Sequence, residues 1–133
     1  MTTSDLPAAG QPDVSNDGTE APFDDVITLS TSTGDDGVVT VTVVGEVDTF
    51  TAPVLRSTLD SQLEQQPKEL VIDLSGVQFL GSAGLAVLVE TQKSSRAREV
   101  ALSLIATTRA VTRPLEVTGL IDLFTIVDSS ARQ

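Results

Sequence analysis

The chain has no cysteine and no histidine among its 133 residues. Without Cys there are no disulfides and no thiolate nucleophile; without His there is no imidazole base working near neutral pH; without both, the usual zinc ligands are gone. Catalysis would fall to Ser, Asp, Glu, Lys and Arg. Their spacing spells out no Walker-type phosphate loop, no nucleophile–base pair and no metal-ligand cluster, so neither an enzyme nor a cofactor is expected. Cations are scarce as well: 8 Lys and Arg stand against 19 Asp and Glu, a formal net charge of −11. Because phosphate recognition rests on clustered cations, nucleic acid and anionic membrane are poor partners, and a protein or a neutral ligand fits better. No window reaches the roughly 20 consecutive apolar residues of a membrane span. The first residues carry neither the basic nor the apolar region of a secretory leader, so a cytoplasmic protein without membrane insertion is expected.

What is present divides early. Residues 1–24 hold Asp5, Asp13, Asp17, Glu20 and Asp24, no Lys or Arg, and three prolines among Ser, Thr, Gly and Asn. Such a stretch buries too little apolar area to offset its conformational entropy, and it reads as a disordered acidic tail. From Asp25 the pattern changes. Val26, Ile27 and Leu29 suggest a strand, Thr33 to Gly37 a tight turn, and Val38 to Gly45 a second strand pairing with the first as an antiparallel hairpin. Val39, Val41 and Val43 point to one face of it; Thr40, Thr42 and Val44 point to the other. A helix follows to about Gln65, with Thr51 as cap and Pro53 in the first turn, where its missing N–H costs nothing. Leu55, Leu59 and Leu63, with Ala52 ahead of them, form its apolar stripe.

The centre of the chain is the run Leu70 to Glu90. Leu70 to Leu74 is a short, nearly continuous apolar segment, which predicts a strand covered on both faces. Gly76 and Gly81 mark a loop, and from Ser82 the residues Leu85, Leu88 and Val89 recur at helical spacing. Ser82 is placed to cap that helix, or, at a helix start where free N–H groups favour a phosphate, to act as a switch. A strand over Ala101 to Ala106 comes next. Pro114 argues against an unbroken helix from Thr108 and for a short one capped by Thr112 and ended by Gly119. A last strand is predicted at Phe124 to Val127. Helices between strands imply an α/β fold with a mixed, mostly parallel sheet and the hairpin as its antiparallel edge.

Taken in order, Gly45-Glu-Val-Asp48, Thr51-Ala52, Leu55-Arg56, Val71-Ile-Asp-Leu-Ser75, Val77, Phe79-Leu-Gly-Ser-Ala-Gly-Leu85, Val111, Arg113 and Thr118-Gly-Leu120 resemble the STAS domain, the module of anti-sigma factor antagonists. The resemblance implies a single STAS domain over residues 25–133. It further implies a non-catalytic protein that binds an anti-sigma factor, often itself a serine kinase, and so frees a sigma factor for transcription. The alternative it carries is a STAS subunit or accessory domain of a membrane lipid or anion transport system. The family's usual switch is the second Ser of Asp-Ser-Ser-Gly-Leu, phosphorylated at the start of the second helix. The corresponding residues here are Gly81, Ser82, Ala83, Gly84 and Leu85, so Ala83 stands at the usual acceptor position and Ser82 is the hydroxyl left in the motif.

Two carboxylates invite attention. Asp48, near the acceptor loop in the family, is expected to organise the chain reversal as an Asx-turn. Asp73, interrupting an apolar strand, is expected to be hydrogen-bonded and to tie down the chain that follows. Partner binding is assigned to Asp48, Gly81, Ser82, Ala83, Gly84, Ala86, Val87 and Glu90, on the helix face thought to turn away from Leu85 and Leu88 and on the Gly76–Ser82 loop. Ser82 is the phospho-acceptor candidate.

Overall fold

The structure, a computed structural model, describes residues 27–127; the acidic segment 1–24 lies outside the described residues. Strand β1 (Ile27–Thr33) and strand β2 (Val38–Val47) form the expected hairpin, antiparallel, with Thr33 opposite Val39. The turn between them is closed by the Gly34 N–H donating to the Val38 carbonyl, and the Asp36 carboxylate accepts from the Val38 N–H. Helix α1 (Ala52–Glu64), strand β3 (Glu69–Leu80), helix α2 (Ser82–Ala97), strand β4 (Ala101–Ile105), helix α3 (Arg109–Val117), a 3-10 turn (Leu120–Leu123) and strand β5 (Thr125–Val127) follow. The strands lie in the order β1-β2-β3-β4-β5, with every pair after the first parallel.

Three crossovers that each step to the next strand in the same direction place their helices on one side of the sheet, because such connections are right-handed. The core shows it. Val39, Val41 and Val43 of β2, Leu70, Ile72 and Leu74 of β3 and Leu102 and Leu104 of β4 share one buried cluster with Leu55, Leu59 and Leu63 of α1, Leu85 and Leu88 of α2 and Val111 and Leu115 of α3. The period-two and period-four stripes predict this assignment residue by residue. On the opposite face Thr40, Thr42 and Asp73 are half-buried while Val71 is fully covered, so the first part of β3, Leu70 to Leu74, is largely closed on both sides as a central parallel strand should be, and its later residues Ser75, Gln78 and Phe79 are exposed.

Two elements differ from expectation. The stretch predicted as a Gly76–Ser82 loop is strand: β3 continues to Leu80 by taking up register shifts against β2 between Thr42 and Val44 and between Gly45 and Glu46. Each shift fits one extra β3 residue against its neighbour, as a β-bulge does, so a glycine that reads as a loop signal instead marks a bend in a strand. Asp73 anchors the first shift, its carboxylate accepting from the N–H and the hydroxyl of Ser75. Pro114 is the second departure. Helix α3 runs through it from a cap at Thr108, not Thr112. Burial of Val111 and Leu115, one turn apart and both fully covered, outweighs the single backbone hydrogen bond that a proline forfeits. The end of α3 is as predicted: Gly119, at φ 76°, is the left-handed residue just beyond it, a conformation a Cβ would disfavour.

Candidate functional site

The carboxyl ends of β2 and β3 lie side by side, with Val47 opposite Leu80, and each chain turns there into a helix. At the first junction Asp48 makes the expected Asx-turn. Its Oδ1 accepts from the N–H of Phe50 at 3.0 Å and of Thr51 at 3.1 Å. Thr51 precedes α1 but does not cap it with its side chain. Its fully buried hydroxyl turns back to donate to the Glu46 carbonyl at 2.9 Å and accepts from the Asp48 N–H at 2.9 Å. The loop thus satisfies its own polar groups and is fixed in shape.

At the second junction the cap of α2 is Gly81, in an extended conformation (φ −89°, ψ −179°), and Ser82 is the first helical residue. The expected Ser82 cap is therefore displaced by one position. No side-chain oxygen caps this helix, and the Ser82 hydroxyl is exposed without a hydrogen bond among the described residues. The Phe79 ring lies against this glycine: a Cβ on Gly81 would stand 3.0 Å from the ring edge, so the half-exposed ring would have to shift to admit one. Gly84 permits the tighter approach. A Cβ there would meet Val47 at 2.6 Å and Leu80 at 2.7 Å, so the first turn of α2 sits directly on the two strand ends. A backbone hydrogen bond ties the start of α2 to the end of β2, the Gly81 N–H donating to the Val47 carbonyl at 2.9 Å.

The outcome is a shallow cleft lined by Asp48, Thr49, Phe79, Gly81, Ser82 and Ala83. Of the residues singled out in the sequence, Asp48, Gly81, Ser82 and Ala83 meet in it. Ala86 and Glu90 continue from Ser82 along the exposed side of α2, one turn apart. Gly84 and Val87 do not belong to that surface. Val87 is 1% exposed and Gly84 is buried, both turned toward the sheet, because the apolar stripe of α2 is wider than Leu85, Leu88 and Val89 and takes in its neighbours. Glu90 pairs with Arg56 of α1 across 2.7 Å, both side chains about half exposed, a pair that steers more than it stabilises. The residues missed by the sequence reading are Phe79, 51% exposed in the cleft lining, and Phe50, 75% exposed and next in the chain to Thr49 of that lining. The available signal was a Phe at each of these two strand-to-helix junctions in a chain with only four Phe and no Trp or Tyr. Among the described residues no group of side chains is arranged to hold a metal ion, and no helix is long and apolar enough to cross a membrane.

A mixed, mostly parallel sheet backed by helices on one face, with a glycine-capped helix start beside an Asx-turn loop, defines an α/β module built to present a surface. The family model of the STAS domain matches residues 30–132, and the chain belongs to that family. Among similar proteins, the anti-sigma-F factor antagonist RsfB of Mycobacterium tuberculosis is 36% identical over 84 residues, covering 63% of this chain and 68% of that protein. The anti-sigma-B factor antagonist of Bacillus subtilis is 37% identical over 92 residues, 69% of this chain and 81% of that one. Among solved structures, an anti-sigma factor antagonist from Mycobacterium paratuberculosis superimposes with a TM-score of 0.71 at 40% identity, over 80% of this chain and 87% of the other.

Proposed function

We propose that this chain is an anti-sigma factor antagonist: it binds an anti-sigma factor through the cleft and the exposed start of α2, and the sigma factor so released directs transcription. The observation that carries the reading is the construction of that surface in a chain whose relatives bear antagonist names. Small residues at 81–83 let another protein approach the backbone closely, and the Asp48 loop beside them is locked by its own hydrogen bonds. The same names favour a regulatory binder in the cytoplasm over an accessory domain of a membrane transporter. The activity is binding alone, with no reaction assigned to the chain.

Control of this binding by a kinase partner would fall on Ser82, because Ala83 has no hydroxyl. A phosphate there would add a charge of about −1.5 to −2, suited to the helix dipole but bulky and repulsive in a close interface. The test is direct. The purified chain is added to each anti-sigma factor–sigma factor complex reconstituted from its own genome, and free sigma factor is followed by size-exclusion chromatography. Release by a stoichiometric amount of this chain is expected; no release from any complex would overturn the reading. Ala86→Arg, on the exposed face, should prevent release while leaving the thermal midpoint unchanged. Incubation of the complex with ATP followed by mass spectrometry then decides the switch: phosphate on Ser82 supports it, and an unmodified Ser82 removes it.

A further inference from the structure

Exposed rings are out of character for this chain. It has four Phe and no Trp or Tyr, and of the three Phe among the described residues Phe124 is buried while Phe79, in the cleft lining, and Phe50, next in the chain to the cleft residue Thr49, are both exposed. Leaving a ring in water forgoes the stabilisation that burying it would give. Both rings are also held on fixed backbone. The Phe50 N–H is bound by the Asp48 carboxylate, and the Phe79 ring lies against Gly81 in a space that any side chain at 81 would take. Val54, 42% exposed on the first turn of α1, lies one helical turn on from Phe50 and extends the apolar area.

Two carboxylates stand beside the Phe79 ring, one across the strand pair and one in the cleft. Glu46 is exposed, sits opposite Phe79 in the β2–β3 register, and makes no ion pair among the described residues. Asp48 lines the cleft, and the Arg56 guanidinium on α1 is paired with Glu90. A second copy of the chain is a poor occupant, since it would set acid against acid between molecules of net charge −11.

We propose that Phe50 and Phe79 are a two-ring anchor that inserts into an apolar pocket rimmed by Lys or Arg on the anti-sigma factor, with Glu46 meeting that rim. This rests on the antagonist reading and adds to it which residues supply the binding energy. Buried aromatic anchors held rigid before binding dominate protein interfaces, because little conformational entropy remains to be lost.

The experiment is isothermal titration with the anti-sigma factor that passes the sigma-release test. Wild type is compared with Phe50→Ala, Phe79→Ala, Glu46→Lys and a control, Val117→Ala, which is 72% exposed at the end of α3 and so at the opposite end of the parallel strands. Circular dichroism melts should show every variant folded, since none of these side chains is in the core. Each Phe variant is expected to weaken binding by about thirtyfold. Glu46→Lys should weaken it by about five- to tenfold and flatten its dependence on salt, while Val117→Ala binds as wild type does. Wild type binding normally with both Phe variants within twofold of it would overturn the anchor alone. A concentration-dependent dimer in analytical ultracentrifugation, dissolved by Phe79→Ala, would overturn it too and assign the rings to a second copy. If no anti-sigma factor binds the wild-type chain, the antagonist reading fails first and the anchor with it.

Discussion

At the scale of single residues, the junctions are set by close contacts and by buried hydroxyls, and these are what a sequence shows least. Ser82 reads as a cap because Ser is favoured there, yet the glycine before it adopts the extended cap conformation and moves the boundary by one residue. The preference concerns a position, and the position is decided by what lies against Gly81. Gly84 shows the same limit: its need for the space it leaves to Val47 and Leu80 is visible only once α2 is set on the strands. Gly84→Ala is accordingly expected to cost about 1 to 3 kcal/mol by overpacking. Thr51→Ala removes a buried hydroxyl that serves Glu46 and Asp48 at once, and should cost about 1 to 3 kcal/mol. Urea midpoints measure both; a midpoint equal to wild type for either would show that the junction relaxes freely.

At the scale of elements, periodicity was informative wherever one face is buried and silent where the chain bends. Leu55, Leu59 and Leu63 mark α1, and Val39, Val41 and Val43 mark β2, because a wrong period would expose the whole set. The second half of β3 escaped the same reasoning. Its register shifts break the alternation, so Val77 and Leu80 are buried three residues apart and look like neither a strand nor a helix. Helix α3 was misread for a different reason. Local chemistry at Pro114 argues for a break, and tertiary burial of Val111 and Leu115 overrides it. That override leaves a correctable weakness. Pro114→Ala restores an N–H in the helix interior and is expected to stabilise the domain by about 1 to 3 kcal/mol, read as a rise in the thermal midpoint. A fall would mean that the ring itself is part of the packing.

At the scale of the molecule, the order of elements and the acidic charge were legible from the sequence, because both follow from composition and connection rules that need no coordinates. One cluster takes in buried side chains from all three helices and from β1 to β4. A core shared so widely should melt as a unit. Leu59→Ala on α1 and Leu104→Ala on β4, both side chains fully buried, are each expected to lose about 2 to 5 kcal/mol with the denaturant slope unchanged. Transitions followed by the helical circular dichroism signal and by methyl resonances of the strands should coincide, and separate transitions would mean that the helices and the sheet unfold independently.

The hydrogen bond from Gly81 to Val47 has a further consequence, in time rather than in space. It ties the start of α2 to the end of β2, so its amide proton reaches solvent when the α2 start lifts from the strand ends. The exchange rate of that single proton is therefore a clock for how often the binding surface comes apart. Partner binding should slow it, Gly84→Ala should quicken it, and Ala86→Arg should leave it as it is.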